Sequence, residues 1–131
     1  MCDSFDFSIS HSCGVVAVAI SESTVGIDVE QVKNPSSDRF ADRMLSASEL
    51  FEYNKTDESK KARYLIGKWS EKEAIFKSKN KSAFIPSEAK ACEYENLFTY
   101  DFSVKDVEFV CSVLAAKESK IEIDFVDFED I

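Results

Sequence analysis

Asp28 and Glu30 stand two residues apart in Val25-Gly26-Ile27-Asp28-Val29-Glu30, where odd positions are apolar and even positions are glycine and acids. Such alternation is that of a β-strand with one buried face, so both carboxylates project from the same side, roughly 6.5 Å apart along the chain. Gly26 on that face leaves room for something to approach. Two acids brought together repel, and either one takes a proton or a cation comes between them. An oxygen-only donor set suits a hard cation such as Mg2+, which takes one or two carboxylates together with waters and substrate phosphates. An exposed strand face with two solvated acids satisfies the same spacing.

A third carboxylate bears on that choice. From Ala62, at about 100° per residue, Ala62, Leu65, Ile66, Trp69 and Phe76 form an apolar stripe, and Glu73 falls about 20° from its centre. Lys77 lies one turn further on the same side, while Ala74 and Ile75 are expected to point elsewhere. An ionised carboxylate among apolar groups costs several kcal/mol unless something compensates it. A Glu73–Lys77 ion pair at i,i+4 is worth only ~0.2–0.5 kcal/mol, a weak reason to place an acid there. Glu73 meeting Asp28 and Glu30 around one cation is a stronger one. Lys72 and Lys77 flank the acid and suit phosphate oxygens.

The elements that must position these groups follow from the hydrophobic pattern. Phe5, Phe7 and Ile9 alternate with polar residues and predict a strand whose apolar side faces the core, with His11 sharing that side. Val15 to Ile20 predicts a second strand, and Ser21 to Thr24 has hairpin-loop length before the strand that carries the acids. Past the break at Asn34-Pro35 come two short helices. Phe40, Met44 and Leu45 mark the first, and the capping-box signature Ser46-x-x-Glu49 opens the second. The longest helical pattern runs from about Ser59 to Lys79. Strand alternation returns at Phe98–Val104, at Val107–Val113 and at Ile121–Phe125, before an acidic end. Strands, helices and strands again predict one α+β domain over residues 1–131, a mainly antiparallel sheet packed against one long helix plus short helices.

Composition narrows the function. The 131 residues are 44% hydrophobic and 31% charged, ordinary for a globular domain. A net charge of −9 argues against nucleic acid as the partner. Residues 55–81 reverse the sign, with nine of the sixteen basic residues and only four acids. That is either a solvated helix face or a local site for an anionic substrate. Cys2, Cys13, Cys92 and Cys111 form no C-x-x-C pair, which speaks against zinc and a disulfide framework. No apolar run approaches the ~20 residues that cross a bilayer, and the start carries no secretory pattern, so the expectation is a cytoplasmic protein without a membrane partner.

Phe7-Ser8-Ile9-Ser10-His11-Ser12, Val25-Gly26-Ile27-Asp28-Val29-Glu30 and Trp69-Ser70-Glu71-Lys72-Glu73-Ala74-Ile75-Phe76-Lys77 resemble, in order and approximate spacing, the three signatures of the 4′-phosphopantetheinyl transferases. The resemblance covers about residues 5–115. It implies transfer of the phosphopantetheine arm of coenzyme A to a serine of an apo acyl or peptidyl carrier protein, with Mg2+. It implies that Asp28, Glu30 and Glu73 bind the metal and that Glu73 is the base for the serine. Lys72 and Lys77 would bind coenzyme A phosphates, with Lys77 also assisting the leaving group at the diphosphate. Ser10 and His11 would contact coenzyme A phosphates.

The chain departs from the family in two respects. Only four residues precede the first expected strand, whereas the larger subclass has two similar halves with the site between them. The small subclass, holo-acyl-carrier-protein synthase, has this length but forms trimers. The resemblance therefore implies a homo-oligomer, dimer or trimer, in which a second copy completes the cleft. The family also places a glycine-bearing loop after the position of Lys77, where this chain reads Ser78-Lys79-Asn80-Lys81. Two other readings are a coenzyme A- or carrier-binding protein on the same fold that transfers nothing, and an acidic interaction domain without a small-molecule site. Glu73 in mid-stripe speaks against the last.

Overall fold

A computed structural model describes residues 5–22, 24–34, 39–79, 96–115 and 122–126. The chain runs β1 (Asp6–Ser12), β2 (Val15–Ser21), β3 (Gly26–Gln31), α1 (Arg39–Met44), α2 (Ala47–Lys55), α3 (Glu58–Lys79), β4 (Leu97–Val104) and β5 (Val107–Leu114). The class is α+β, as expected, and every strand pairing is antiparallel.

The strands form two sheets, a β1-β2 hairpin and a three-stranded sheet ordered β3-β5-β4. Two-residue turns close both hairpins. Cys13 and Gly14 have φ of 48° and 86°, and Lys105 and Asp106 have 50° and 67°, the left-handed pairs that match strand twist. Ser21 to Thr24 has hairpin length, yet β2 and β3 form no ladder: β3 pairs with β5, from Gly26↔Leu114 to Gln31↔Phe109.

The outer edge of β3 is satisfied by side chains. The amides of Val25, Ile27, Val29 and Gln31 donate to Asp6 Oδ2, Ser8 Oγ, Ser10 Oγ and Ser12 Oγ at 2.9, 3.0, 2.9 and 3.1 Å. An unpaired strand edge leaves donors that need partners, and every second residue of β1 supplies one. This reverses the expected facing of β1. Ser8 and Ser10 are buried, while Phe7, Ile9 and His11 are exposed. The period of the strand is the expected one, but the polar side turns inward because a strand edge, not an apolar layer, lies against it.

α3 packs across β3 and β5. The helix and the capping box of α2 form where expected, the box with both reciprocal bonds present. The core-facing side of α3 differs from the expected stripe. Leu65 and Ile66 are buried as expected, but Ala62, Trp69 and Phe76 are only half-buried, and Gly67, Ser70, Ala74, Ile75 and Ser78, outside that stripe, are buried. The small residues let the helix backbone come close. A Cβ on Gly26 would clash with Ala74 O and lie 2.6 Å from Ser78 N. A second cluster, Ala41, Met44, Leu45 and Leu65 with Phe40 and Trp69 against it, joins the three helices. The strand expected at Ile121–Phe125 does not form over the described residues 122–126, which are exposed and irregular. Residues 80 and 81 of the segment after Lys77 lie outside the described residues.

Candidate active site

The close contact of β3 with α3 carries Asp28 into a buried position, 3% exposed. Its backbone is fixed from α3, because Ser70 Oγ donates to Asp28 O at 3.0 Å. Its carboxylate is fixed from β1 and from the last turn of α3. Ser10 Oγ donates to Asp28 Oδ1 at 3.3 Å, and Lys77 Nζ reaches the same oxygen at 3.5 Å. Lys77 also donates to Ile9 O at 3.3 Å, so one ammonium ties α3 to β1 across the acid.

Asp28 Oδ2 is buried and has no hydrogen-bond partner. Burial first, and then the neighbouring Glu30 carboxylate, push Asp28 up to about 8, with Lys77 opposing. Glu73, half-buried on α3, is also raised, by burial and then by Asp28, again with Lys77 opposing. Asp28 is thus the acid that feels Glu30 along β3 and acts on Glu73 across the β3–α3 contact. The three carboxylates form no closed cage: among the described residues, no three His, Cys, Asp or Glu side chains converge closely enough to hold a metal ion. An orphaned buried oxygen beside a second acid is an open site. It fits a hard cation that keeps some waters and takes phosphate oxygens from a substrate.

Three residues implied to bind phosphates have other surroundings. Lys72 is fully buried, and its Nζ donates to Glu49 Oε1 at 2.6 Å and to Met44 O at 3.0 Å. Since Glu49 also accepts from Ser46 N at 2.9 Å, Lys72 locks the start of α2 onto α3. A fully buried, paired ammonium is not presented to a ligand. Ser10 and His11 point to opposite sides of β1, as strand neighbours must. Ser10 holds Asp28, while His11 is exposed on the outer face.

Ser70 and Glu49 carry roles that sequence patterning did not assign. The capping box identifies Glu49 as a helix cap but contains no sign of its partner 23 residues away. Ser70 falls outside any apolar stripe, and only its contact with β3 reveals its use. Cys111, paired with Val29, is pushed up to about 11 by burial and then by Asp28, which favours its neutral thiol.

Comparison with known sequences places this geometry. The sequence profile of the 4′-phosphopantetheinyl transferase superfamily matches residues 24–105, a span that holds Asp28, Glu30, Lys72, Glu73 and Lys77. The holo-[acyl-carrier-protein] synthase of Mycoplasma genitalium is 30% identical over 94 residues, 68% of this chain and 82% of that protein. The 4′-phosphopantetheinyl transferase psf-1 of Bacillus pumilus is 36% identical over 74 residues, 56% of this chain and 31% of that protein. The 4′-phosphopantetheinyl transferase Sfp of Bacillus subtilis is 34% identical over 80 residues, 61% of this chain and 35% of that protein. The matched part of this chain thus spans about a third of two relatives and most of the third. With its three signatures gathered around one β3–α3 contact, the chain belongs to the 4′-phosphopantetheinyl transferase superfamily.

Proposed function

We propose that this chain transfers the 4′-phosphopantetheine arm of coenzyme A to a serine of an apo acyl or peptidyl carrier protein, with Mg2+, as one cytoplasmic domain over residues 1–131. The observation that carries the reading is the buried Asp28 carboxylate, with one oxygen unpartnered and the other facing Lys77. Asp28 and Glu30 are the groups to hold the ion, with Glu73 completing its surroundings from α3. When bound, Mg2+ supplies charge neutralisation at the diphosphate of coenzyme A.

The remaining roles belong to the chain itself. Glu73 accepts the proton of the carrier serine; burial and Asp28 raise its basicity above that of an ordinary glutamate. The serine oxygen forms a bond to the pantetheine-side phosphorus, and the bond from that phosphorus to the bridging oxygen breaks. The adenosine-bearing phosphate leaves with the negative charge. Lys77, at the last turn of α3, stabilises that charge and is free to turn to it once Asp28 has another cation. Ser10 and Ser70 are positioning residues, since each hydrogen bonds to Asp28. Lys72 acts at a distance by fixing α2 to α3. The protein acts as a homo-oligomer, dimer or trimer.

Mixing the protein with an apo carrier protein, coenzyme A and Mg2+ and weighing the carrier tests the reading. The carrier should gain one phosphopantetheine. No gain across several carriers, with coenzyme A still bound, would favour the second reading, a binding protein that transfers nothing. The closed Asp28–Lys77 contact is the observation on its side.

A further inference from the structure

The β1-β2 hairpin has an outer face that nothing in the described structure covers. Phe5, Phe7, Ile9, Val16, Val18 and Ile20 are 66, 65, 52, 62, 54 and 72% exposed. The register aligns them, with Phe7 opposite Ile20, Ile9 opposite Val18 and His11 opposite Val16. The cause lies on the inner side, where Asp6, Ser8, Ser10 and Ser12 satisfy the edge of β3 and so drive the large apolar residues outward.

We infer that this face is the interface of a two-fold dimer, in which the same hairpin of a second copy lies against it. Area and charge both support that occupant. Six apolar side chains, each more than half exposed, offer on the order of 600 Å². That is the upper end of what a monomer leaves bare, and most of the roughly 800 Å² per partner of a standard interface. The chain carries a net charge of −9, so two copies repel wherever their acids meet. This face is where they do not. Of the two acids between residues 5 and 22, Asp6 is turned inward onto Val25 N, and Glu22 stands past the end of β2. A two-fold contact needs a patch complementary to itself, and a flat two-stranded apolar face stacks on its own copy as sheets do in a sandwich.

The assembly would then share a strand with the proposed site. The outer residues of β1 meet the partner, while the inner residue Ser10 holds Asp28. The inference deepens the homo-oligomer part of the function proposed above. It is tested without coenzyme A, so a monomer leaves transfer standing, and failed transfer leaves the interface standing.

Sedimentation equilibrium of the whole chain should give twice the chain mass of 14.8 kDa. Ile20→Lys and Val18→Asp should each reduce it to one chain with an unchanged circular dichroism spectrum. Phe51→Lys, at an equally exposed apolar residue of α2 (63%), should leave the dimer intact. Should either hairpin variant misfold, dilution of the wild type answers instead, and binding of a hydrophobic dye should rise with the monomer fraction. A monomeric wild type, a trimer, a dimer that survives both hairpin changes, or dye binding that ignores dilution overturns the inference.

Discussion

Lys77 Nζ lies 3.5 Å from Asp28 Oδ1, so the last turn of α3 delivers an ammonium to the buried acid of β3. Few arrangements make a carboxylate as expensive to ionise. Asp28 is enclosed by the sheet and the helix, has Glu30 on the same strand face and keeps one oxygen unpartnered. Lys77 relieves part of that cost, but its side chain remains 28% exposed and can swing away. The pair sets a partly exposed ammonium against a buried carboxylate.

Replacing Lys77 by methionine separates its two duties. Burial already keeps a proton on Asp28 near neutral pH, so the melting temperature should move by only a few degrees. Transfer should fall by about 100-fold or more, the scale on which a preorganised group at a developing charge acts. Initial rates of carrier mass gain, with melting curves beside them, check both. A rate within a few-fold of wild type would remove Lys77 from the chemistry.

Asp28→Asn keeps the shape and removes the charge. Because Asp28 sits at about 8 in the folded chain against an ordinary 3.8, the folded state holds the extra proton between those values. Its contribution is therefore full below the ordinary value and is lost as pH rises towards 8. The metal-free variant should match wild type in acid and exceed it near pH 8, by roughly one to a few kcal/mol. Mg2+ should stabilise wild type and not the variant. Denaturant unfolding in chelator and in Mg2+ measures each arm.

How much of this was legible depended on which force set each position. The capping box at Ser46 and Glu49, the extent of α3 and the alternation along β1, β3, β4 and β5 follow local rules, and they are legible in the sequence. The facing of β1 is not, because it is fixed by amides of β3, which no pattern within β1 records. On α3, Leu65 and Ile66 are buried as the apolar stripe requires, but the rest of the buried side escapes the pattern for a related reason. Close approach to β3 selects Ser70, Ala74 and Ser78 for smallness, and an apolar count passes over such residues. Asp28 and Glu30 were legible as a pair because strand spacing alone puts them on one face, and that face does meet α3. Lys72 illustrates the opposite case: its buried partner Glu49 becomes a neighbour only once α2 folds back onto α3.

The Glu49–Lys72 pair makes an asymmetric prediction. Lys72 is 0% exposed and Glu49 11%, so losing the acid strands a buried ammonium, while losing the lysine leaves an acid near water. Glu49→Gln keeps a side chain able to cap Ser46, yet should cost about 3–5 kcal/mol. Lys72→Met, which retains an apolar stem, should cost less. Burial alone would raise Glu49, but Lys72 and the Ser46 amide outweigh it and hold the group below its ordinary 4.5. A depressed acid contributes its stability above the ordinary value and loses it as pH falls through the folded one. Wild type should therefore lose stability below about pH 4.5 more steeply than Glu49→Gln, as urea midpoints across that range would reveal. Equal slopes would mean that the pair contributes nothing.

Two glycines should fail for different reasons when changed to alanine. At Gly26 the new methyl meets helix backbone, Ala74 O and Ser78 N, which cannot turn aside as a side chain does. Either β3 and α3 separate or the last turn of α3 shifts, and Lys77 shifts with it. Gly26→Ala should lose about 3 kcal/mol or more, at the top of the range for overpacking, and lose transfer further than its stability alone explains. At Gly14 there is open space around the added methyl, but φ is +86°, so Gly14→Ala should cost only the left-handed penalty of about 1–2 kcal/mol and leave transfer unchanged. Urea midpoints and carrier mass gain on both variants decide the matter. If Gly26→Ala transfers normally, the closeness of β3 to α3 is not what holds Asp28 and Lys77 in place.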